Sequence, residues 1–466
     1  MAEAVLELVR KKKCDGLSMR REKFPIFLAQ GLLFLGFGLL LALNWPGQLS
    51  YDSVVQLTDG RAGQYDSWHP PVMAWLLGLF DGLLPGTGLF LLSTTLLLLF
   101  AWLFLLSGKC GGWGLPILMA LLFATPQLVL YQGTIWKDVL FANAGILAFA
   151  ALAKAAERWW DPAPRFVLFL LCALALSLAA LARQNGFLLL PVAAITLGLI
   201  ARQQEASAWR YGLGLLLTSL LVIAGASYAL DFRSDHGEGR SEQIRLAQTY
   251  DLVAAVRLDP SIHLAVLEKR APALDAAIRK DGVALYSPRL VDTLEQSDTL
   301  TQAIYHAPSG VVFAQWRQLI LVHPRLYLRE RWPVFRWVVA PPDLIVCHPD
   351  VVGVDGPRDM LKNLGLTEQI RPQDRLLYSY VANFFRTPVF SHVLYAAIAA
   401  GLALLLARRG SPADRAIAGL QIAALGFAAS FFIVSIACDY RYLYFLDLAA
   451  MTGALQFFAG RPGARA

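Results

Sequence analysis

Apolar residues run along this chain in blocks of about 20, the length a helix needs to cross a bilayer. Ten blocks satisfy it: residues 24–44, 88–107, 113–131, 135–153, 166–182, 186–201, 211–230, 388–407, 416–437 and 442–459. An eleventh, 71–84, is too short and carries Asp81 near its end, so it is read as a helix lying at the interface. The first block has a basic flank, but it is too long for a cleaved signal and lacks a small-residue cleavage site. Between blocks seven and eight lies a long polar stretch, 231–387. Apolar residues at helical spacing around Leu252–Val256 and Leu264–Leu267 make its first part helical and able to bury a core.

Charge orients this pattern. With the N-terminus in the cytoplasm, the inner segments hold eighteen Lys and Arg and the short outer segments four, as the positive-inside rule requires. Counting 71–84 as a span would invert every later loop and destroy the asymmetry. The expected fold is therefore an all-α polytopic membrane protein. A cytoplasmic basic N-terminus (1–23) precedes seven spans (24–230), whose first outer loop is 45–87. An extracytoplasmic domain (231–387), three last spans (388–460) and a cytoplasmic tail (461–466) follow.

Composition agrees. Hydrophobic residues make up 57% of the 466 and charged residues only 16%, where a soluble domain carries roughly 25% charged. This excludes a disordered chain and a nucleic-acid binder. Five cysteines are too few for a disulfide framework. Cys347 and Cys438 are the two that fall on the outer side, and nothing in the sequence demands that they pair.

Polar groups at membrane depth are costly, and here they gather on one side. Five short outward places hold them: Asn44 to Ser53, Trp68-His69-Pro70-Pro71, Ile135 to Asp138, Arg183-Gln184-Asn185, and Asp439-Tyr440-Arg441-Tyr442. Asp52 reads either as a general base at a membrane-edge cavity or as a helix-start carboxylate. His69 reads as a proton carrier or phosphate contact, or as the residue fixing the turn before a helix that Pro71 opens. Lys137, Arg183 and Arg441 each sit at a span boundary beside Asp138, Asn185 and Asp439. They are three converging cations for a phosphate, or snorkelling side chains and local ion pairs. The Arg/Trp-rich stretch around 316–337 suits a helix at headgroup level or one packed within the domain. His348, Asp350 and Asp355 read as turn residues. No second His lies at ligand spacing, so no metal site is supported.

The order and sidedness of these motifs resemble the GT-C superfamily of integral-membrane glycosyltransferases, nearest the protein O-mannosyltransferase and lipid A aminoarabinose transferase branch. Asp52-Ser53 through Trp68-His69-Pro70-Pro71 looks like that family's first outer loop with its two interfacial helices, and Arg441-Tyr442-Leu443 like its late Arg-Tyr-Leu step. The resemblance implies a sugar transfer from a polyprenyl-phosphate donor to a hydroxyl of a glycan, lipid or protein, on the outer face of a bacterial inner membrane. It implies inversion, Asp52 as base, and Lys137, Arg183 and Arg441 on the donor phosphate. Tyr51, His69, Asp138, Asn185, Asp439 and Tyr442 would line the substrate site. Ser53 stands where the family often has a second acidic residue, so neither a divalent cation nor any other cofactor is called for. An O-antigen ligase or polymerase using a pyrophosphate-linked glycan, and a lipid-linked sugar transporter or flippase, remain the competing readings.

Overall fold

The computed structural model describes residues 16–109, 112–308 and 310–460, with side chains from residue 24. The basic run at 11–13 and the predicted tail at 461–466 lie outside the described residues. The chain is an all-α polytopic membrane protein. Among the described residues nine helices are long and apolar enough to cross a membrane.

The first outer loop follows α1 (Gly16–Asn44) and carries α2 (Tyr51–Ala62) and α3 (Pro71–Leu83). These two helices touch backbone to backbone. A Cβ on Gly60 would stand 2.4 Å from the Ala74 carbonyl oxygen, so only glycine permits the approach. α4 (Gly88–Leu106) returns across the bundle. The block predicted as one span over 113–131 is instead two short helices, α5 (Gly114–Phe123) and α6 (Pro126–Tyr131). Pro126 supplies the reason. It has no N–H for the ladder, and it biases Thr125 to the extended backbone found there, φ −74° and ψ 130°.

α7 (Lys137–Glu157) is the axis of the bundle. Its run of alanines around Gly145 lets neighbours approach from all sides, and nearly every residue is buried. α4, α8 (Pro162–Ala182), α16 (Pro412–Val434) and α17 (Tyr444–Ala459) pack around it. α9 (Leu189–Gln203), α10 (Ala208–Asp231) and α15 (His392–Arg409) complete the bundle.

The segment between α10 and α15 builds two kinds of core. α11 (Glu238–Leu258), α12 (Val311–Val322) and most of α13 (Pro324–Val339) enclose their own apolar cluster around Tyr250, Leu252, Leu300 and Val334. Residues from Val338 onward, through α14 (Pro372–Ala382), bury Val354, Leu361 and Val381 in the core of the bundle itself. Cys347 and Cys438 form a disulfide that joins this second part to the segment preceding α17.

The Arg/Trp stretch resolves into one-sided helices. Arg317, Arg325, Arg329 and Arg336 are exposed, whereas Arg331 is buried. Of the two sequence readings, packing within the domain therefore describes the buried face of α13, which holds Tyr327, Glu330, Arg331, Val334 and Val338.

Candidate functional site

Backbone pairing outside any helix joins two of the five polar places, the loop after α1 and the start of α7, and ties both to the 353–355 segment. The Gln48 N–H donates to the Gly133 carbonyl at 2.8 Å, and the Ile135 N–H donates back to Gln48 at 3.0 Å. Leu49 donates to Gly353, and Asp355 donates back to Leu49, each at 2.9 Å. Side chains reinforce the join. Ser53 Oγ donates to the Ile135 carbonyl at 2.7 Å, and Trp136 Nε1 donates to Ser50 Oγ at 2.8 Å. The start of α2 is thus locked to the start of α7, which sets Asp52 beside Lys137. Ser50, not Asp52, is the N-cap of α2. Asp52 is left in the first turn with its carboxylate directed at other partners.

Those partners are a guanidinium and an imidazole. Arg441 Nη2 lies 2.8 Å from Asp52 Oδ2, and His69 Nε2 lies 3.8 Å from Asp52 Oδ1. On its other side His69 Nδ1 is 2.9 Å from Lys137 Nζ. When Lys137 is charged it donates to Nδ1, which assigns the ring proton to Nε2 on the side of Asp52. Lys137 opens α7, an end where the helix dipole disfavours a cation. A merely structural cation gains nothing there, and the expected pairing of Lys137 with Asp138 is not the one formed. Asp138 pairs instead with Arg183, and Arg441 Nε stands 3.9 Å away. Arg441 Nε also lies 2.8 Å from Asp439. The planes of Phe427, Phe431 and Tyr442 enclose the Arg183 guanidinium, and Trp136 lies 4.7 Å from that of Arg441.

A cavity of about 1110 Å³ takes in Asp52, His69, Lys137, Arg183, Arg441 and Tyr442. Its far wall comes from the extramembrane segment, including Arg240, Asp251, Asp292, Trp316 and Arg331. Its rim reaches Tyr228 on α10 and Ile433 on α16, both exposed apolar side chains at the ends of spanning helices. Asn185 reaches the cavity while donating to Ser430 Oγ at 3.1 Å. Asp138 and Asp439 stand behind the cations as counter-charges and do not line the cavity. Tyr51, expected at the site, is 60% exposed and lies outside the cavity lining. The helix start turns its side chain outward while holding Asp52 in.

Burial alone would raise the Asp52 carboxyl, but Arg441, His69 and Lys137 overcome it and hold the group at about 2. Burial and the Lys137 charge push His69 down to about 3, so its ring is neutral at physiological pH. Asp439 is raised above the ordinary carboxylate range by burial, against the pull of Arg441. The Asp52 and His69 shifts act in one direction. Asp52 stabilises the fold above its ordinary 3.8 and loses that contribution as pH falls toward about 2. Below the ordinary His value of 6.5 the unfolded chain binds a proton that folded His69 refuses until about 3. The unfolding midpoint of the native protein is therefore expected to fall with acidification below 6.5, and His69→Gln to flatten that decline down to about 3. Equal slopes for the two proteins would remove the assignment of a neutral, half-buried His69.

Sequence reasoning passed over a second cluster on the cavity's far wall. Arg331 Nη1 lies 2.9 Å from Asp251 Oδ1, and Trp316 Nε1 donates to Asp251 Oδ2 at 2.7 Å. Arg331 also donates to the carbonyls of Phe432 (2.8 Å) and Ser435 (2.6 Å), at the end of α16 where carbonyls lack helical partners. Burial pushes the neighbouring Glu330 up to about 10, so Asp251 carries the one counter-charge. Placing Arg331 on the apolar stripe of its helix would have exposed the signal. The spans are also less free of charge than they read. Asp447 on α17 is fully buried, 2.9 Å from His392 Nδ1 and 2.8 Å from the Tyr440 hydroxyl.

No family model matches the chain, and no curated protein matches it. Among solved structures, the archaeal oligosaccharyltransferase AglB from Archaeoglobus fulgidus, in complex with an inhibitory peptide and a dolichol-phosphate, aligns with 92% of this chain at 13% identity and a TM-score of 0.40. The chain spans 50% of that protein's length.

Proposed function

We propose that this protein is a membrane glycosyltransferase that moves a sugar from a polyprenyl-phosphate donor to an acceptor hydroxyl, with inversion at the sugar carbon. The observation that carries the reading is the convergence of Lys137, Arg183 and Arg441 beside Asp52 in a cavity whose rim is apolar at the ends of spanning helices. A lipid-linked phosphate needs both halves: cations for its head and a way in for its tail. We place the site on the outer face of a bacterial inner membrane, with the termini in the cytoplasm, from the distribution of Lys and Arg; α5 and α6 together make the tenth crossing, running alongside α1 from Trp113, 5.7 Å from Phe24, to Val129, whose carbonyl accepts from Asn44 at 3.1 Å.

In the proposed step the acceptor oxygen bonds to the sugar carbon as the bond from that carbon to the phosphate oxygen breaks. The leaving phosphate gains negative charge, which the three cations stabilise, and the acceptor proton passes to Asp52. A carboxyl held at about 2 is a poor base. The donor corrects this, because a phosphate on Arg441 and Lys137 offsets the field that depresses Asp52. Base strength thus appears only with donor in place. Arg441 holds Oδ2 of Asp52 at 2.8 Å, which leaves Oδ1, 3.8 Å from His69 Nε2, as the oxygen that receives the proton. The phosphate's charge is met by side chains, so the step is routed through no metal.

The test is release of polyprenyl phosphate by the purified chain offered polyprenyl-phosphate sugars in a lipid extract. Asp52→Asn is expected to lower turnover roughly a hundredfold, the lower range for a general base. Undiminished turnover in that variant would reduce Asp52 to a partner of Arg441. Turnover with pyrophosphate-linked glycans alone would hand the site to the ligase reading, for which Arg240 on the far wall offers a further cation.

A further inference from the structure

α13 is two-faced, and its outward face has no partner within the chain. Successive residues turn by about 100°, which sets Arg325, Leu328, Arg329, Trp332 and Arg336 on one stripe about a quarter to a third of the circumference wide. All five are exposed, Leu328 at 53% and Trp332 at 59%. Tyr327, Glu330, Arg331, Val334 and Val338 occupy the opposite face and are buried. Among the described residues no ion pair or hydrogen bond engages the guanidinium groups of Arg325, Arg329 or Arg336; one carboxylate, Asp259, shares a groove with Arg325 and Arg329 without pairing to either, so the stripe keeps a net positive charge. The stripe also has a definite height in the molecule. The rings of Trp332 and Phe335 lie 6.3 Å apart, and Phe335 packs 5.6 Å from Phe432 in the last turn of spanning helix α16. Beyond Phe432, Ile433 and Val434 are again exposed.

We infer that this face of α13 is a docking surface for anionic phospholipid headgroups, with Trp332 and Leu328 entering the interface and the three arginines taking the phosphates. The chemistry matches on each count. Tryptophan favours the level where spanning helices end. Arginine offers a fork of donors to phosphate while its stem covers apolar surface. Basic charge at a membrane surface gains about fivefold in lipid affinity per residue. A soluble partner would not require the stripe to continue into the end of a spanning helix. Because Arg331 on the opposite face lines the cavity, a headgroup held by this stripe also steadies the cavity wall. The inference stands apart from the transferase reading and is tested without any turnover.

The full chain, its cysteines other than Cys347 and Cys438 replaced by serine, is labelled with a nitroxide at Trp332→Cys and, separately, at Leu328→Cys. Each is placed in nanodiscs of phosphatidylcholine with or without phosphatidylglycerol. Both positions are exposed, so the fold tolerates the label, and persistence of the Cys347–Cys438 disulfide checks it. Expected are several-fold less collision with a water-soluble nickel chelate, and more with oxygen, when phosphatidylglycerol is present. Replacing Arg325, Arg329 and Arg336 by glutamine should abolish that lipid-dependent difference. Labels as open to the chelate with phosphatidylglycerol as without it would overturn the inference. So would protection that survives the glutamines, or that rises with the number of chains per disc, which would indicate a second copy.

Discussion

Replacing Arg441 with lysine is expected to lower donor turnover about a thousandfold, the upper range for losing one preorganised donor to a developing oxyanion. The charge survives this change, so the loss would measure geometry. Arg441 holds Asp52 through Nη2 and lies against Asp439 through Nε, each at 2.8 Å, while its plane faces the Trp136 ring. An ammonium is a point donor and cannot span the two carboxylates and stack as well. Freed of its fork, Asp52 is no longer held in register with His69, and Asp439 keeps a buried charge without a partner. The measurement is polyprenyl phosphate release by the native and lysine proteins, with the unfolding midpoint followed alongside. Turnover within tenfold of native would show that the cluster needs positive charge but not the guanidinium.

Arg331→Ala is expected to destabilise the protein by about 3–5 kcal/mol, the cost of stranding one member of a buried ion pair. Three losses coincide. Asp251 keeps its charge in an apolar setting beside Trp316, and two carbonyls at the end of α16 lose their donor. The contact between the extramembrane core and the bundle also opens. Denaturant unfolding of the detergent-solubilised chain reads the effect. Changing Arg331 to Met together with Asp251 to Leu should recover much of the loss, since removing both charges leaves neither stranded. A single alanine variant as stable as the native protein would mean that apolar packing, not this hub, joins the two cores.

The spans were legible because a bilayer demands about 20 apolar residues and the chain supplies them in blocks. Pro126 was in plain view, but hydropathy averages over a window and passes a break that leaves both flanks apolar. Asp52, His69, Lys137, Arg183 and Arg441 stood out as polar residues at one side of the spans, and the structure gathers all five around one cavity. Their pairing was not legible. Lys137 precedes Asp138 in the chain, yet meets His69, while Asp138 meets Arg183, because a helix start points neighbouring side chains in different directions. Arg331 was hidden among exposed arginines, distinguished only by its angle around the helix. Asp447 was diluted by its apolar neighbours, and its partner His392 lies 55 positions away.

The cation cluster also sets an order of assembly. Asp52, His69, Lys137, Asp138 and Arg183 leave the ribosome early, within the first half of the chain. Arg441 comes from the segment that precedes α17, and it alone bridges Asp52, Asp138 and Asp439. While synthesis continues, a nascent chain can pair Asp138 with Arg183 but leaves Asp52 without its arginine. The site therefore closes only when the segment between α16 and α17 is in place, and a chain stalled before residue 441 keeps Lys137 and Arg183 but lacks the guanidinium that joins the three carboxylates.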